Sequence, residues 1–247
     1  MTQARGSDIP RMIHVERLLE RHEPDAPAAL ALPEKALIAR YEKLQAAIVS
    51  DVLREHGMLN QAFPGALSAL HSGRTVAGIA YTVKSAPNTR LTGEMTIRGQ
   101  MLDGLGADAF VVWDTSGDTR GTMWGGVMTA TVVAKGVRGA VIDGGIRDTA
   151  QIAQKNFAVY YRYKSPTGSL GHNQITHFQI PIRVGDVFVR PGDVIVGDDD
   201  GAVCVPRELA VEVLVRAEEI FGNEERIFAW VGEGKTIAQI TDEGGYF

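Results

Sequence analysis

Two Gly-rich stretches carry the residues of this 247-residue sequence whose types and spacing could do chemistry. Gly121, Gly125 and Gly126 stand where an apolar helix begins in DTRGTMWGGVMTATVVAK, and Gly144, Gly145, Arg147 and Asp148 close GAVIDGGIRD. Backbone N–H groups at a helix start can hold a carboxylate against the positive end of the helix dipole. Arg147 supplies a planar fork suited to a carboxylate or a polarised ketone. Asp148 supplies a hard oxygen ligand suited to a divalent cation. Together they point to a small anionic ligand. The same letters admit a plainer reading, in which the glycines form tight turns, Asp148 caps the next helix and Arg147 is solvated.

Other candidates divide in the same way. Asp118 and Asp114 precede the Gly-rich helix start and read as binding groups or as turn caps. Asp198, Asp199 and Asp200 lack the alternating ligands and final Glu of an EF-hand, so a hairpin turn is expected. His172 and His177 have no third ligand at zinc spacing. Lys84 and Lys135 could form a Schiff base with a carbonyl ligand, or be simply solvated strand and helix ends. Cys204 lies between Val203 and Val205 as a small buried hydrophobe. GTMWGG lacks the Gly-Lys-Ser/Thr ending of a phosphate loop.

The elements that must position these residues follow from periodicity. Residues 1–33 mix Pro, charge and short apolar pieces and read as an N-terminal extension that need not join the core; 34–247 read as one domain. From Pro33, a good first-turn residue, Leu37, Ile38, Tyr41, Leu44, Ile48 and Val52 recur at helical spacing until Gly57. Strands are expected at 74–83 and 110–113, with a helix between them. Then a helix over 124–135, a strand over 139–142, a helix over 149–156 and a strand over 158–163 give an α/β alternation. Gly144-Gly145 would follow a strand directly, and both Gly-rich turns should lie at one end of the sheet, where open α/β sheets bind ligands. VFVR, VIVG and AVCV read as short strands separated by turns, and Pro206 opens a final helix reaching Val231.

Composition excludes several classes. Twenty-five basic against thirty acidic residues give a net charge of -5 with no dense Lys/Arg run, so nucleic acid is not an expected partner. No apolar stretch approaches the ~20 residues a spanning helix needs. Residues 1–14 lack the apolar core of a secretory signal, and a single cysteine allows no internal disulfide, so the cytoplasm is expected.

The segments AAIVSDVL, GRTVAGIAYTV, WGG, GVRGAVIDGGIRD and VRPGDVIVGDDDGAVCVP, in that order, resemble the family that contains 4-hydroxy-4-methyl-2-oxoglutarate aldolase, 4-carboxy-4-hydroxy-2-oxoadipate aldolase and the regulator of ribonuclease E activity A. The resemblance implies an α/β fold with a layered αββα core of the swivelling β/β/α type and a C-terminal helix. It also implies homotrimers or homohexamers with sites near subunit boundaries. In the aldolases an acidic residue precedes the motif arginine by twenty-one positions, the aspartate binds magnesium and the arginine contacts the 2-oxo group. Arg147 and Asp148 match, but the earlier acid falls on Gly126. The ribonuclease regulators carry glycine there and acids just after Arg-Asp, where this sequence has Gln151.

What the resemblance implies is a class II lyase using Mg²⁺ or Mn²⁺ on Asp148 and releasing pyruvate from a small anionic 2-oxo acid, by retro-aldol cleavage or by oxaloacetate decarboxylation. Either reaction leaves an enolate oxygen that the cation and Arg147 would stabilise. Backbone groups of Gly125, Gly126, Val127 and Met128 would hold the substrate carboxylate. Glu224, Glu225 and Asp118 are candidates for an outer acid, the two glutamates reaching toward a neighbouring subunit. The alternatives are a non-catalytic binder of a ribonuclease, and an aldolase for a sugar-derived 2-oxo acid.

Overall fold

Apolar spacing and a glycine stop divide the start of the described chain into helices. In the computed structural model, which describes residues 15–22, 27–70 and 73–245, α1 (Glu16–His22) precedes α2 (Glu34–Tyr41) and α3 (Ala46–Glu55). The spaced apolar residues of α2 and α3 are buried, and Gly57 ends the run at φ 72°, a left-handed conformation that glycine adopts without strain. Pro33 is the cap residue of α2 rather than part of its first turn. Residues 1–14 and 23–26 of the extension lie outside the described residues. Part of its remainder reaches the core: Leu30 and Leu32 pack on the α2/α3 cluster, and Arg207 donates to the Ala28 carbonyl at 2.7 Å.

The middle of the chain runs β1 (Ser68–Ala69), β2 (Val76–Pro87), α4 (Glu94–Asp103), β3 (Ala109–Asp114), β4 (Thr122–Trp124), α5 (Gly126–Ala134), β5 (Gly139–Ile146), α6 (Thr149–Gln154) and β6 (Ala158–Lys164), with the expected alternation from β2 onward except for β4, which takes Trp124 from the helix expected over 124–135. Then come β7 (Asn173–Phe178), β8 (Ile182–Val184), β9 (Val187–Val189), β10 (Val194–Asp198), β11 (Gly201–Val205), a 3-10 turn at Arg207–Leu209, α7 (Ala210–Gly232) and α8 (Ile237–Asp242).

β6, β5, β3 and β2 are parallel neighbours in that order, and β10 and β11 extend the sheet antiparallel beyond β2. The segment between α3 and β2 ties the two edges together. Phe63 N–H donates to the Ala202 carbonyl at 2.9 Å and Leu70 N–H to that of Val159 at 2.8 Å. Across the gap the Tyr160 hydroxyl donates to the Asp198 carbonyl at 2.9 Å, so the sheet is nearly closed. One face of β2, β3, β5 and β6 packs on α4, α5 and α6 around Trp113, Trp124 and Ile142. The opposite face meets β10, β11 and the β8–β9 ribbon through Phe110, Val141, Ile182 and Ile195. Outside β10 and β11 lie α2, α3 and α7, with Val52, Val196 and Leu214 between. The result is the expected αββα layering.

One local expectation is corrected. Gly144 and Gly145 are not a turn after β5; the strand runs through them to Ile146 with an irregularity between Ile142 and Gly145. They are glycines for want of space: a β-carbon at 144 would stand 2.8 Å from Thr115 Cγ2, and one at 145 would enter the Tyr163 ring. β1, β4, β7, β8 and α8 carry too little periodicity to be read in advance.

Candidate active site

β4 and β5 run parallel with Thr122 opposite Gly145 and Trp124 opposite Ile146, so the chain leaving β4 at Gly125 and the chain leaving β5 at Arg147 emerge side by side. Arg147 N–H donates to the Trp124 carbonyl at 3.0 Å. The Trp124 indole N–H donates to Thr129 Oγ1 at 2.9 Å, and that hydroxyl donates to the Gly125 carbonyl at 3.0 Å. The indole also stacks on Phe157 at 5.9 Å. These bonds fix the start of α5 against the end of β5.

Asp148 occupies the cap position of α6 in a left-handed conformation, φ 56° and ψ 36°. Such a backbone is costly for a non-glycine residue and persists where surrounding structure imposes it, often at functional sites. Its side chain does not cap its own helix. Oδ2 instead accepts the Gly126 N–H of α5 at 3.0 Å and lies 3.7 Å from Arg147 Nε, and among the described residues Oδ1 has no partner. Gly125 makes this crossing possible, because a β-carbon there would be 2.7 Å from Asp148 Oδ2 and 3.3 Å from Arg147 Cγ. Its φ of -162° is open to any residue, so space alone demands glycine.

In the first turn of α5 the N–H groups of Val127 and Met128 have no partner among the described residues. Val127 is 81% exposed, whereas Gly126 and Met128 on either side of it are buried. Arg147 lies over Gly168, whose absent side chain would be 3.1 Å from Nη1. Residues 146–149 and 164–166 line a cavity of about 360 Å³. Asp148 is the acidic residue among them.

A buried brace beneath this corner escaped the sequence reading. Arg98 donates to the Met123 carbonyl at 2.9 Å and to Ser169 Oγ at 3.1 Å, lies 3.2 Å from Met128 Sδ, and pairs with Glu94. Glu94 in turn accepts the Ile175 N–H at 3.2 Å. The pair thus joins α4, the approach to α5 and β7. Its signal was the i,i+4 spacing of Glu94 and Arg98.

The remaining candidates have structural partners. Asp118 accepts the N–H groups of Arg120 at 3.1 Å and Gly121 at 3.2 Å, a turn role, and does not line the cavity. Asp114 pairs with Lys84 at 2.5 Å, and Lys135 donates to the Leu102 carbonyl at 2.7 Å, so each lysine is engaged. Asp198 accepts the Ala46 N–H at 2.8 Å at the start of α3. Burial pushes the Cys204 thiol well up, and its side chain is fully enclosed. Burial, with the Asp118 charge adding to it, pushes Tyr163 up to about 12, so its hydroxyl donates to the Gly121 carbonyl at 2.7 Å. Glu224 and Glu225 lie on α7, which packs on α2 and α3, and the single chain does not bring them to the Arg147–Asp148 turn.

Among the described residues no three His, Cys, Asp or Glu side chains converge on a point that could hold a metal. One hard carboxylate with an unengaged oxygen beside an open cavity does not fit a dehydrated zinc site. It fits a divalent ion that keeps most of its water, as Mg²⁺ or Mn²⁺ does.

A nearly closed sheet with helices packed outside it and an Arg-Asp turn at its strand ends defines a mixed α/β protein. Residues 46–204 match the family described as RraA-like, Aldolase/RraA, and the chain belongs to that family. A solved structure described as a novel cellulase from gut-associated microbes is 51% identical, with a TM-score of 0.84, over 87% of this chain and 97% of the other. RraAS2 of Streptomyces coelicolor, described as an unusual member of the RNase ES inhibitor RraA family, is 26% identical, with a TM-score of 0.74, over 80% of this chain and 99% of that one. Among curated relatives, 4-hydroxy-4-methyl-2-oxoglutarate aldolase of Thermus thermophilus is 26% identical over 43% of this chain and 65% of its own length. Protein DlpA of Legionella pneumophila is 27% identical over 73% of this chain, which spans only 29% of DlpA. Relatives carrying the aldolase name support a lyase function. Among the described residues no helix is long and apolar enough to cross a membrane.

Proposed function

We propose that this protein is a divalent-metal-dependent carbon-carbon lyase that releases pyruvate or a related 2-oxo product from a small anionic 2-oxo acid. The observation that carries this reading is that Arg147 and Asp148 line one cavity while Asp148 is bonded to the start of α5, where the Val127 and Met128 N–H groups have no partner among the described residues. Val127 and Met128 hold the carboxylate of the 2-oxo acid. Arg147 donates to the C2 oxygen as negative charge develops there, an interaction stronger in the transition state than in the ground state. Asp148 would hold the cation with its unengaged oxygen, Oδ2 being kept in place by the Gly126 N–H. When bound, the ion supplies Lewis acidity toward the same 2-oxo acid.

Asp148 being the cavity's acid, retro-aldol cleavage sends the 4-hydroxyl proton to solvent. Oxaloacetate decarboxylation needs no such proton removal and makes the lesser demand on this site. Glycoside cleavage by the common two-carboxylate mechanisms needs a pair of acids flanking the bond, so the cellulase activity attached to the 51% identical structure is not carried over.

The test is pyruvate release from oxaloacetate and from 4-hydroxy-4-methyl-2-oxoglutarate, with Mg²⁺ or with chelator. Metal-dependent release that falls about 100-fold or more in Asp148→Asn and Arg147→Ala is expected. No release, or an Asp148→Asn variant equal to the parent, refutes the reading. The lack of a second acid at Gly126 favours another possibility, a scaffold that binds a ribonuclease without catalysis, in line with the likeness to RraAS2. A protein that turns over a 2-oxo acid and recovers no ribonuclease E in a pull-down eliminates it. A panel of sugar-derived 2-oxo acids tests the remaining substrate class.

A further inference from the structure

The cavity holds a second cation that the proposed reaction does not use. Lys164 ends β6 directly opposite Ile146, the residue before Arg147, and lines the same cavity as Arg147 and Asp148. Its ammonium has no carboxylate partner among the described residues and lies 5.5 Å from the Tyr161 ring centroid. Beside it, Ser165 Oγ accepts the Thr167 N–H at 3.2 Å, which leaves the Ser165 hydroxyl hydrogen free to donate. Two cations against one carboxylate give the lining a net positive charge. A three-carbon 2-oxo acid beside Arg147 and Asp148 leaves most of the roughly 360 Å³ unfilled, in a space of the size that usually takes larger ligands.

We propose that Lys164 is a specificity-determining residue, contacting a second anionic group at the far end of the substrate so that the site prefers dianionic to monoanionic 2-oxo acids. The inference rests on the reading of this cavity as a 2-oxo acid site. Lys164 is an ammonium at a solvent-open wall, so its attraction is modest and screened by salt. A preference of about fivefold, falling with ionic strength, is the expected scale.

The test compares binding of 2-oxoglutarate and 2-oxopentanoate, which share a five-carbon chain and differ in the far carboxylate, by calorimetry in the presence of Mg²⁺. The parent binds 2-oxoglutarate about fivefold tighter. Lys164→Met brings the ratio to about one with 2-oxopentanoate binding unchanged, whereas Lys164→Arg keeps the preference. A ratio that persists in Lys164→Met, or a parent with no preference, overturns the proposal. If the parent lacks the preference yet still releases pyruvate, only the role of Lys164 falls. If neither acid binds and no substrate yields pyruvate, the 2-oxo acid reading falls and takes this inference with it.

Discussion

The carboxamide of Gln151, in the first turn of α6, occupies the space that a side chain on Gly126 would need. A β-carbon at 126 would overlap Gln151 Oε1 and stand 3.0 Å from Cδ and 3.2 Å from Cβ. The two positions at which this sequence departs from the patterns it resembles are therefore neighbours. A glycine at 126 accommodates a long side chain at 151, and an acid at 126 requires that side chain to turn away.

Coupling between these two residues is the first prediction. Gly126 begins α5 with ordinary helical backbone, so Gly126→Ala should stabilise by about 0.5–1 kcal/mol once Gln151 is cut back to Ala, through the usual Gly-to-Ala gain in a helix. In the parent background the gain should vanish, because Gln151 must first rotate. Denaturant unfolding of the four proteins in this cycle measures the difference; strict additivity would disprove the contact. Gly126→Asp with Gln151→Ala should also raise turnover of 4-hydroxy-2-oxo acids relative to oxaloacetate by about 10-fold or more, by adding a general base.

Gly125→Ala should separate activity from stability. The added β-carbon displaces the Asp148 carboxylate from the Gly126 N–H, at a cost in stability of about 1 kcal/mol for the lost hydrogen bond. Pyruvate release should fall as far as in Asp148→Asn while the melting temperature moves by a few degrees. Unaltered kinetics would show that the carboxylate position is immaterial.

The Glu94–Arg98 pair is almost fully enclosed, with side chains 4% and 11% exposed. Removing one partner of a buried ion pair leaves the other charge uncompensated, at about 3–5 kcal/mol. Arg98→Met should lose that much in urea unfolding, and adding Glu94→Leu should recover a good part of it. The Trp124–Thr129–Gly125 chain remains in both variants, so the start of α5 should persist.

Acid should loosen α7 first. Glu55 and Glu218 are held below the ordinary carboxylate pKa of 4.5 chiefly by hydrogen bonds from Arg216 and Arg40, with burial opposing. Because the folded-state pKa is the lower, the unfolded chain takes up protons first. The stability these pairs contribute is thus complete above pH 4.5 and lost as pH falls through the depressed values. Both carboxylates are substantially exposed, so the slope is shallow. Glu55→Gln with Glu218→Gln should flatten melting temperature against pH below about 4.5; an unchanged slope would assign acid sensitivity elsewhere.

Periodicity alone determined the helices α2, α3, α5 and α7 and the core strands β2, β3, β5 and β6, because each buries a face whose repeat is written in consecutive residues. Arg147, Asp148 and the α5 start were legible for a related reason, since each lies next to a glycine-marked end of such an element. Only the tertiary structure decided the direction of the Asp148 carboxylate, which crosses to another helix; the strand character of Gly144 and Gly145, set by Thr115 and Tyr163; and the approach of Lys164 to the same cavity. These depend on which strands lie side by side and in what register, a relation between residues far apart in the chain that no local repeat encodes.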